Sequence, residues 1–269
     1  MQRPIVVIKL GGTAAGQNEA IQSLAAELAG YDANVILVHG GGKEVSALSE
    51  RLGHTPLFEN GVRMTSEAEM DVVEMVLSGL ANKRLVRLLL AAGLPAVGIS
   101  GADGGLVTGT PVPDALGKPS RTGSVAGVRF ALLGSLLAAG YLPVVAPPAS
   151  SSEFTALNIN ADDVAFAIAE AANASCMLFL SDVPGVMVDG AVVSTLTPSE
   201  CKTHINSGAI SGGMIPKINN ALTAMAEGVN RVVIGNYEGH ENTKGELVEL
   251  IVGNKGTVIT ADPAGGNHE

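Results

Sequence analysis

Lys9, Arg63 and Lys217 are the cations whose settings suggest chemistry on an anion. Lys9 interrupts the apolar run Ile5–Leu10 and is followed at once by Gly11 and Gly12. A lysine at the C-terminal end of a buried strand can reach the ligand crevice of an open α/β sheet, although it can equally snorkel to solvent. Lys217 follows Gly212–Gly213–Met214–Ile215–Pro216, near the start of a helical pattern. Cations favour helix C-termini, so a lysine here points to an anion nearby, or is simply solvated. Arg63 comes just after the turn-forming pair Asn60–Gly61. Its planar fork could grip a carboxylate, though an isolated arginine also suits a surface.

Two glycine turns accompany these cations, Gly11–Gly12 and Gly40–Gly41–Gly42, each after an apolar run. Without side chains, backbone N–H groups can approach an anion, and a following helix end adds positive potential. The same junction can also serve strand–helix packing. Asn158, Asn160 and Asp162 alternate, which would place all three on one face of a strand. That face could bind an amide and orient lysines; an Asx-rich helix cap is the other reading. His39 precedes the triple glycine and suits a structural hydrogen bond better than acid–base work. No segment fits the phosphate-loop pattern G-x-x-x-x-G-K-[ST], and no G-x-G-x-x-G joins a strand to a helix.

The chain has 269 residues, of which 46% are hydrophobic and only 3% aromatic, so aliphatic residues must fill its core. A formal net charge of −10 opposes a broad nucleic-acid footprint but allows a locally cationic pocket. Cys176 and Cys201 form no paired metal motif. Ile5–Leu10 is too short for a membrane span or secretory core, so a cytoplasmic setting is expected, with no nucleic-acid or membrane partner.

To position these residues, strand and helix patterns alternate almost throughout, as in an α/β chain with a mostly parallel sheet. Strands are expected at Ile5–Leu10, Val35–His39, Ala96–Ser100, Leu142–Ala146, Met177–Leu180, Arg231–Ile234 and Thr257–Thr260. Residues 55–65 read as an irregular or hairpin segment. Ser66 and Glu69 form a capping box that opens a helix to about Ser78, with another helix over 82–92. Residues 101–129 suit hairpins or a lid, Pro147–Glu153 a loop, and Pro263–Glu269 a disordered tail. Helices are further expected after Lys43, over 130–139, from Asp162 to Ala172, after Thr197–Pro198 and over 214–227. The lobe boundary falls just before Cys176, giving lobes 1–175 and 176–269.

Taken in order, the segments Lys9–Gly12, His39–Gly42, Gly61–Thr65, Val97–Gly104, Asn158–Asp162, Ser181–Gly185 and Gly212–Lys217 resemble the amino-acid kinase family. The similarity runs from Lys9 to about Thr260 and is strongest to its branch that phosphorylates N-acetyl-L-glutamate. The resemblance implies a three-layer αβα sandwich with a mostly parallel central sheet. It implies an N-terminal lobe for acyl-amino-acid binding and dimerisation, and a C-terminal ATP lobe. Lys9 and Lys217 would stabilise the transferring phosphoryl group and Asp162 would orient them. Gly41, Gly42, Arg63, Asn158 and Asn160 would hold the acceptor. Gly11, Gly12, Ser181, Asp182, Gly185, Met187, Ala209, Ile210 and Ser211 would border ATP, whose phosphates would hold most of the Mg²⁺ coordination.

The implied reaction transfers the γ-phosphoryl group of ATP to the acceptor's γ-carboxylate, in arginine biosynthesis. Such a carboxylate, with a reference pKa of about 4.3, is already ionised at neutral pH and needs no general base. Arg121–Thr122–Gly123 is similar to a loop of family members acting on carrier-protein-bound aminoadipate or glutamate, which supplies an alternative acceptor. A non-catalytic ligand-binding regulator of the same fold is the other alternative. Only eight residues precede Lys9, whereas the family's arginine-inhibited hexamers carry an extra N-terminal helix. The expectation is therefore an arginine-insensitive homodimer.

Overall fold

The computed structural model describes residues 3–11, 18–59, 61–239 and 245–262. From the N-terminus run β1 (Ile5–Leu10), α1 (Asn18–Ala29), β2 (Asn34–His39), α2 (Gly42–Arg51) and the hairpin β3 (Leu57–Glu59)–β4 (Val62–Met64). Next come α3 (Glu67–Glu74), a π-helical segment (Met75–Ala81), α4 (Asn82–Ala91), β5 (Ala96–Ser100), β6 (Val107–Pro111) and β7 (Thr122–Val128). They are followed by α5 (Ala131–Ala138), β8 (Leu142–Ala146), β9 (Ala149–Ser151), β10 (Ala156–Ile159) and α6 (Ala161–Ala171). The remaining elements are β11 (Cys176–Leu180), β12 (Met187–Val188), β13 (Ala191–Val192), β14 (Thr195–Leu196), α7 (Pro198–Asn206), α8 (Met214–Ala226), β15 (Arg231–Gly235), α9 (Glu246–Val252) and β16 (Thr257–Thr260).

Eight strands form one sheet in the order β14-β16-β15-β11-β1-β2-β8-β5, parallel except where β15 meets β16. The pleat explains its two cores. Val6, Ile8 and Leu10 of β1 point into a cluster with α1, α4 and α9, while Val7 points into one with α5, α6 and α8. Two helical layers thus enclose the sheet, giving the expected αβα sandwich. Period-2 alternation also sends Lys9 to the same face as Val7, the side covered by α6. The sheet continues across the expected lobe boundary, because β1 pairs in parallel with β11 from Val6↔Cys176 to Leu10↔Leu180.

Several segments differ from the sequence expectation. Ser66 and Glu69 do form the capping box, but the helix does not stop near Ser78. It passes through the π-helical turn directly into α4, since Gly79 weakens a helix without removing a backbone donor as proline would. Residues 149–151, expected as loop, form β9, which closes a small barrel with β6, β7 and β10. Their composition signals a turn, yet pairing with β6 and β10 gives their backbone ladder partners. The short elements α9 and β14 carry too few periodic positions to stand out in sequence. The 55–65 hairpin appears as β3–β4, while Gly12 and the tail 263–269 lie outside the described residues.

Candidate active site

The C-terminal ends of β1 and β2 open into a cavity of about 570 Å³, whose lining includes Lys9, Gly41, Gly42, Arg63, Asn158 and Asp162. Asn160 and Gly11 also face it. Residues separated by up to 153 positions in sequence, from Lys9 to Asp162, therefore share one space. The location is the crevice beyond the carboxyl ends of the strands, where open α/β sheets place ligands.

Lys9 Nζ lies 2.7 Å from Asp162 Oδ1, with both side chains largely buried. The contact follows from local structure. Asn160 is the N-cap of α6, and its Oδ1 accepts the Asp162 N–H at 2.9 Å. The chain therefore leaves its extended path at Asn160, so Asn158 sits on β10 and Asp162 in the first helical turn. The cap reading holds at Asn160, and all three residues also line the cavity. The positive end of α6 further favours the Asp162 carboxylate.

Gly11 makes room for this arrangement. A Cβ there would overlap Lys9 Nζ and stand 2.9 Å from the Leu180 carbonyl oxygen. Its own N–H donates to that carbonyl at 3.1 Å, continuing the β1–β11 ladder. Gly41 precedes α2, whose N-terminus has no side-chain cap. The first-turn N–H groups of such a helix have no intrahelical partners, and Gly41, Gly42 and Lys43 all line the cavity. A Cβ on Gly41 would approach Leu77 Cδ2 of the π-helical segment to 2.7 Å.

Lys217, on α8, donates to Ser181 Oγ at 2.6 Å. Burial lowers its pKa first; the charges of Asp162 and Asp182 push it up and that of Lys9 pushes it down. Lys217 therefore belongs to the same electrostatic cluster as the Lys9–Asp162 pair. Burial thus disfavours the charged ammonium more than the two nearby carboxylates restore it.

Arg63 is buried beneath Phe58, with its guanidinium carbon 4.7 Å from the ring centroid. Its Nη2 donates to the Gly42 carbonyl at 3.1 Å and to Ser46 Oγ at 2.5 Å. Its Nη1 lies 3.7 Å from Glu69 Oε1 and has no hydrogen-bond partner among the described residues. Part of the fork thus braces the start of α2, while burial lowers the Arg63 pKa against the opposing effect of Glu69. Glu69 serves twice, in the capping box and beside Arg63. Sequence spacing gave only the first of these roles.

Asn158 Nδ2 donates to Thr65 Oγ1 at 2.8 Å. His39 has the structural role expected of it. Its Nδ1 is 2.8 Å from the Gly40 carbonyl oxygen and its Nε2 is 3.1 Å from Asn82 Nδ2. With that carbonyl accepting at Nδ1 and the amide donating at Nε2, the ring is neutral, and burial lowers its pKa.

Of the expected nucleotide residues, Gly11 lines the cavity and Gly12 lies outside the described residues, while the others lie apart from the lining. Ser181 follows β11 and donates its N–H to the Gly235 carbonyl at 2.8 Å, while Asp182 is exposed. A Cβ on Gly185 would stand 2.7 Å from both Thr257 Oγ1 and Val192 Cγ1, so its lack of a side chain serves packing. Met187 opens β12 and is partly exposed. Ala209, Ile210 and Ser211 follow α7; Ile210 is buried and Ser211 exposed. Among the described residues, no group of three or more His, Cys, Asp or Glu side chains could hold a metal.

The family model for the amino acid kinase family matches residues 4–236. An acetylglutamate kinase of Chloroflexus aurantiacus is 44% identical over 251 residues, covering 91% of this chain and 99% of that protein. The Geobacillus kaustophilus acetylglutamate kinase is 42% identical over 230 residues, covering 85% and 88% respectively. A solved structure from Streptococcus mutans UA159 superposes with a TM-score of 0.78 at 31% identity, covering 96% of this chain and 99% of that one. Together with the parallel sheet and the lysine-lined crevice, these similarities show that the chain belongs to the amino acid kinase family.

Proposed function

We propose that this chain is an ATP-dependent kinase that phosphorylates the γ-carboxylate of N-acetyl-L-glutamate, giving N-acetylglutamyl 5-phosphate and ADP, in arginine biosynthesis. The observation that carries the reading is the Lys9–Asp162 contact of 2.7 Å at the cavity, with Lys217 held in the same charge cluster. The sequence similarity to acetylglutamate kinases supplies the acceptor.

The residues suit phosphoryl transfer to an ionised acid. A carboxylate oxygen forms the new bond to the γ-phosphorus while the bond to the β,γ-bridging oxygen breaks, and ADP leaves with that electron pair. No proton is removed from the acceptor, and His39 is committed to backbone and amide contacts. The principal demand is stabilising charge on the transferring group. Lys9 and Lys217 do so, and Asp162 aims them. Gly41 and Gly42 present backbone N–H groups to the reacting end, while Arg63, Asn158 and Asn160 hold the rest of the acceptor. Gly11 and Gly12, with Ser181, Asp182, Gly185, Met187, Ala209, Ile210 and Ser211, border ATP. Mg²⁺ would be held mainly by the nucleotide phosphates and would supply charge neutralisation there.

In this reading residues 1–175 form the acceptor-binding and dimerisation lobe and residues 176–269 the nucleotide lobe. The proposed assembly is a homodimer in the cytoplasm; a monomer or hexamer in light scattering would count against it. No described helix is long and apolar enough to cross a membrane. The test is Mg·ATP-dependent turnover of N-acetylglutamate alongside glutamate, aspartate and carrier-bound aminoadipate. Preference for N-acetylglutamate is expected. Preference for the carrier-bound acid would replace the substrate, and no transfer to any acceptor would favour a ligand-binding regulator.

A further inference from the structure

Thr65 and Thr122 stand behind the cavity and are almost fully buried. Thr65 follows β4, the strand of Arg63, and Thr122 opens β7. Thr122 Oγ1 donates to the Arg63 carbonyl at 2.9 Å and accepts the Thr65 N–H at 2.9 Å. Thr65 Oγ1 accepts from Asn158 Nδ2 at 2.8 Å, and its own proton is directed to the Arg63 carbonyl at 3.5 Å. The backbone reinforces the junction. Arg121 donates its N–H to the Thr65 carbonyl and Asn158 donates its N–H to the Arg121 carbonyl, both at 2.7 Å. Thr122 and Asn158 are register partners in the parallel β7–β10 pair. Two hydroxyls thus link the strand carrying Arg63 to the strand carrying Asn158.

We propose that Thr65 and Thr122 are positioning residues for the acceptor site. They hold the Asn158 carboxamide with its nitrogen turned inward and fix its strand against that of Arg63. The inference rests on the proposed function for the identity of the acceptor, but its geometry stands independently. Thr122 uses its hydroxyl both as donor and as acceptor, so valine, of nearly the same shape, removes both links and leaves buried partners unsatisfied. Serine keeps both. Neither threonine lines the cavity, so each acts through Asn158 and Arg63 rather than on the reacting atoms.

The experiment compares Thr65→Val, Thr122→Val and the corresponding serine variants in the full chain. Calorimetric binding of N-acetylglutamate without nucleotide is read beside KM for each substrate and kcat. The valine variants are expected to bind N-acetylglutamate roughly tenfold more weakly, with a matching rise in its KM and little change in KM for ATP. Serine should restore binding to within about threefold of wild type. Wild-type affinity in the valine variants would overturn the proposal, as would parallel losses for both substrates that serine fails to rescue.

A measurement on the wild type keeps the idea testable if valine prevents folding. The Asn158 side-chain amide protons should exchange with solvent more slowly than those of an exposed asparagine, read by NMR on the ¹⁵N-labelled chain. Exchange at the exposed rate would overturn the proposal. If wild type neither binds nor phosphorylates N-acetylglutamate, the substrate assignment fails, and this exchange measurement still decides whether the threonines hold Asn158.

Discussion

Lys9 and Asp162 meet at 2.7 Å because strand alternation and a helix cap converge on one point. The pleat turns Lys9 toward α6, and the Asn160 cap fixes the turn that presents Asp162. Asp162 also acts on Lys217, whose pKa its charge raises against the effect of burial. Asp162→Asn keeps the shape and removes the charge proposed to aim both lysines. Turnover should fall by about a hundredfold or more, with a smaller change in N-acetylglutamate binding. Steady-state kinetics with calorimetry checks this, and a kcat within a few-fold of wild type would exclude Asp162 from the machinery.

Lys217 offers a separate contrast between activity and stability. Among the described residues it donates a hydrogen bond to Ser181 Oγ, whereas its proposed catalytic partner is transient phosphoryl charge. Lys217→Ala should therefore lower kcat by about a hundredfold or more while leaving Tm within a few degrees. Arginine should not restore the rate, because its planar fork differs from a compact ammonium in shape and donor geometry. Comparable losses of activity and thermal stability would identify a structural lysine.

Much of this site was legible in sequence for a physical reason. A lysine inside an apolar strand and glycines at its exit are anomalies that core packing does not require. The Asn158–Asp162 alternation was also visible, with a helix cap as its other reading, but which residue caps becomes evident only when Asn160 accepts the Asp162 N–H. Glu69 shows the same limit: the S-x-x-E spacing reveals its local cap, while its proximity to Arg63 depends on how β4 packs on α3. Thr65 and Thr122 gave less warning, since a threonine in a strand satisfies β propensity whether or not its hydroxyl is used. The π-helical segment was hidden because a one-residue change in helical pairing leaves the hydrophobic pattern nearly intact.

Gly11 supplies a steric test. A methyl group there would meet both Lys9 Nζ and the Leu180 carbonyl. The lysine could swing away, but the backbone oxygen belongs to the central sheet and has little freedom. Gly11→Ala should therefore displace Lys9 from Asp162 and strain the β1–β11 junction. The expected result is a stability loss of about 1–3 kcal/mol with a larger fractional loss of kcat, read by denaturant unfolding and kinetics. Wild-type behaviour in both would mean that the sheet relaxes around the added carbon.

Asp163, beside Asp162 on α6, should reveal itself through pH. Burial raises its carboxyl pKa above the ordinary range, the neighbouring Asp162 charge adds to the shift, and the Asn220 amide opposes it through a 2.9 Å hydrogen bond. Because the folded pKa exceeds the unfolded one, the favourable contribution of the protonated group is fully present below the unfolded value, about 3.9. It is lost as pH rises through the folded value, where a buried carboxyl must ionise. Asp163→Asn retains an oxygen acceptor for Asn220 and carries no charge. The variant should therefore have the higher Tm at pH 7, and its advantage should shrink steadily as the buffer is acidified through the carboxylate range. Thermal unfolding of both proteins across pH 4–8 checks this. A Tm difference independent of pH would show that Asp163 ionises as easily in the folded chain as in the unfolded one.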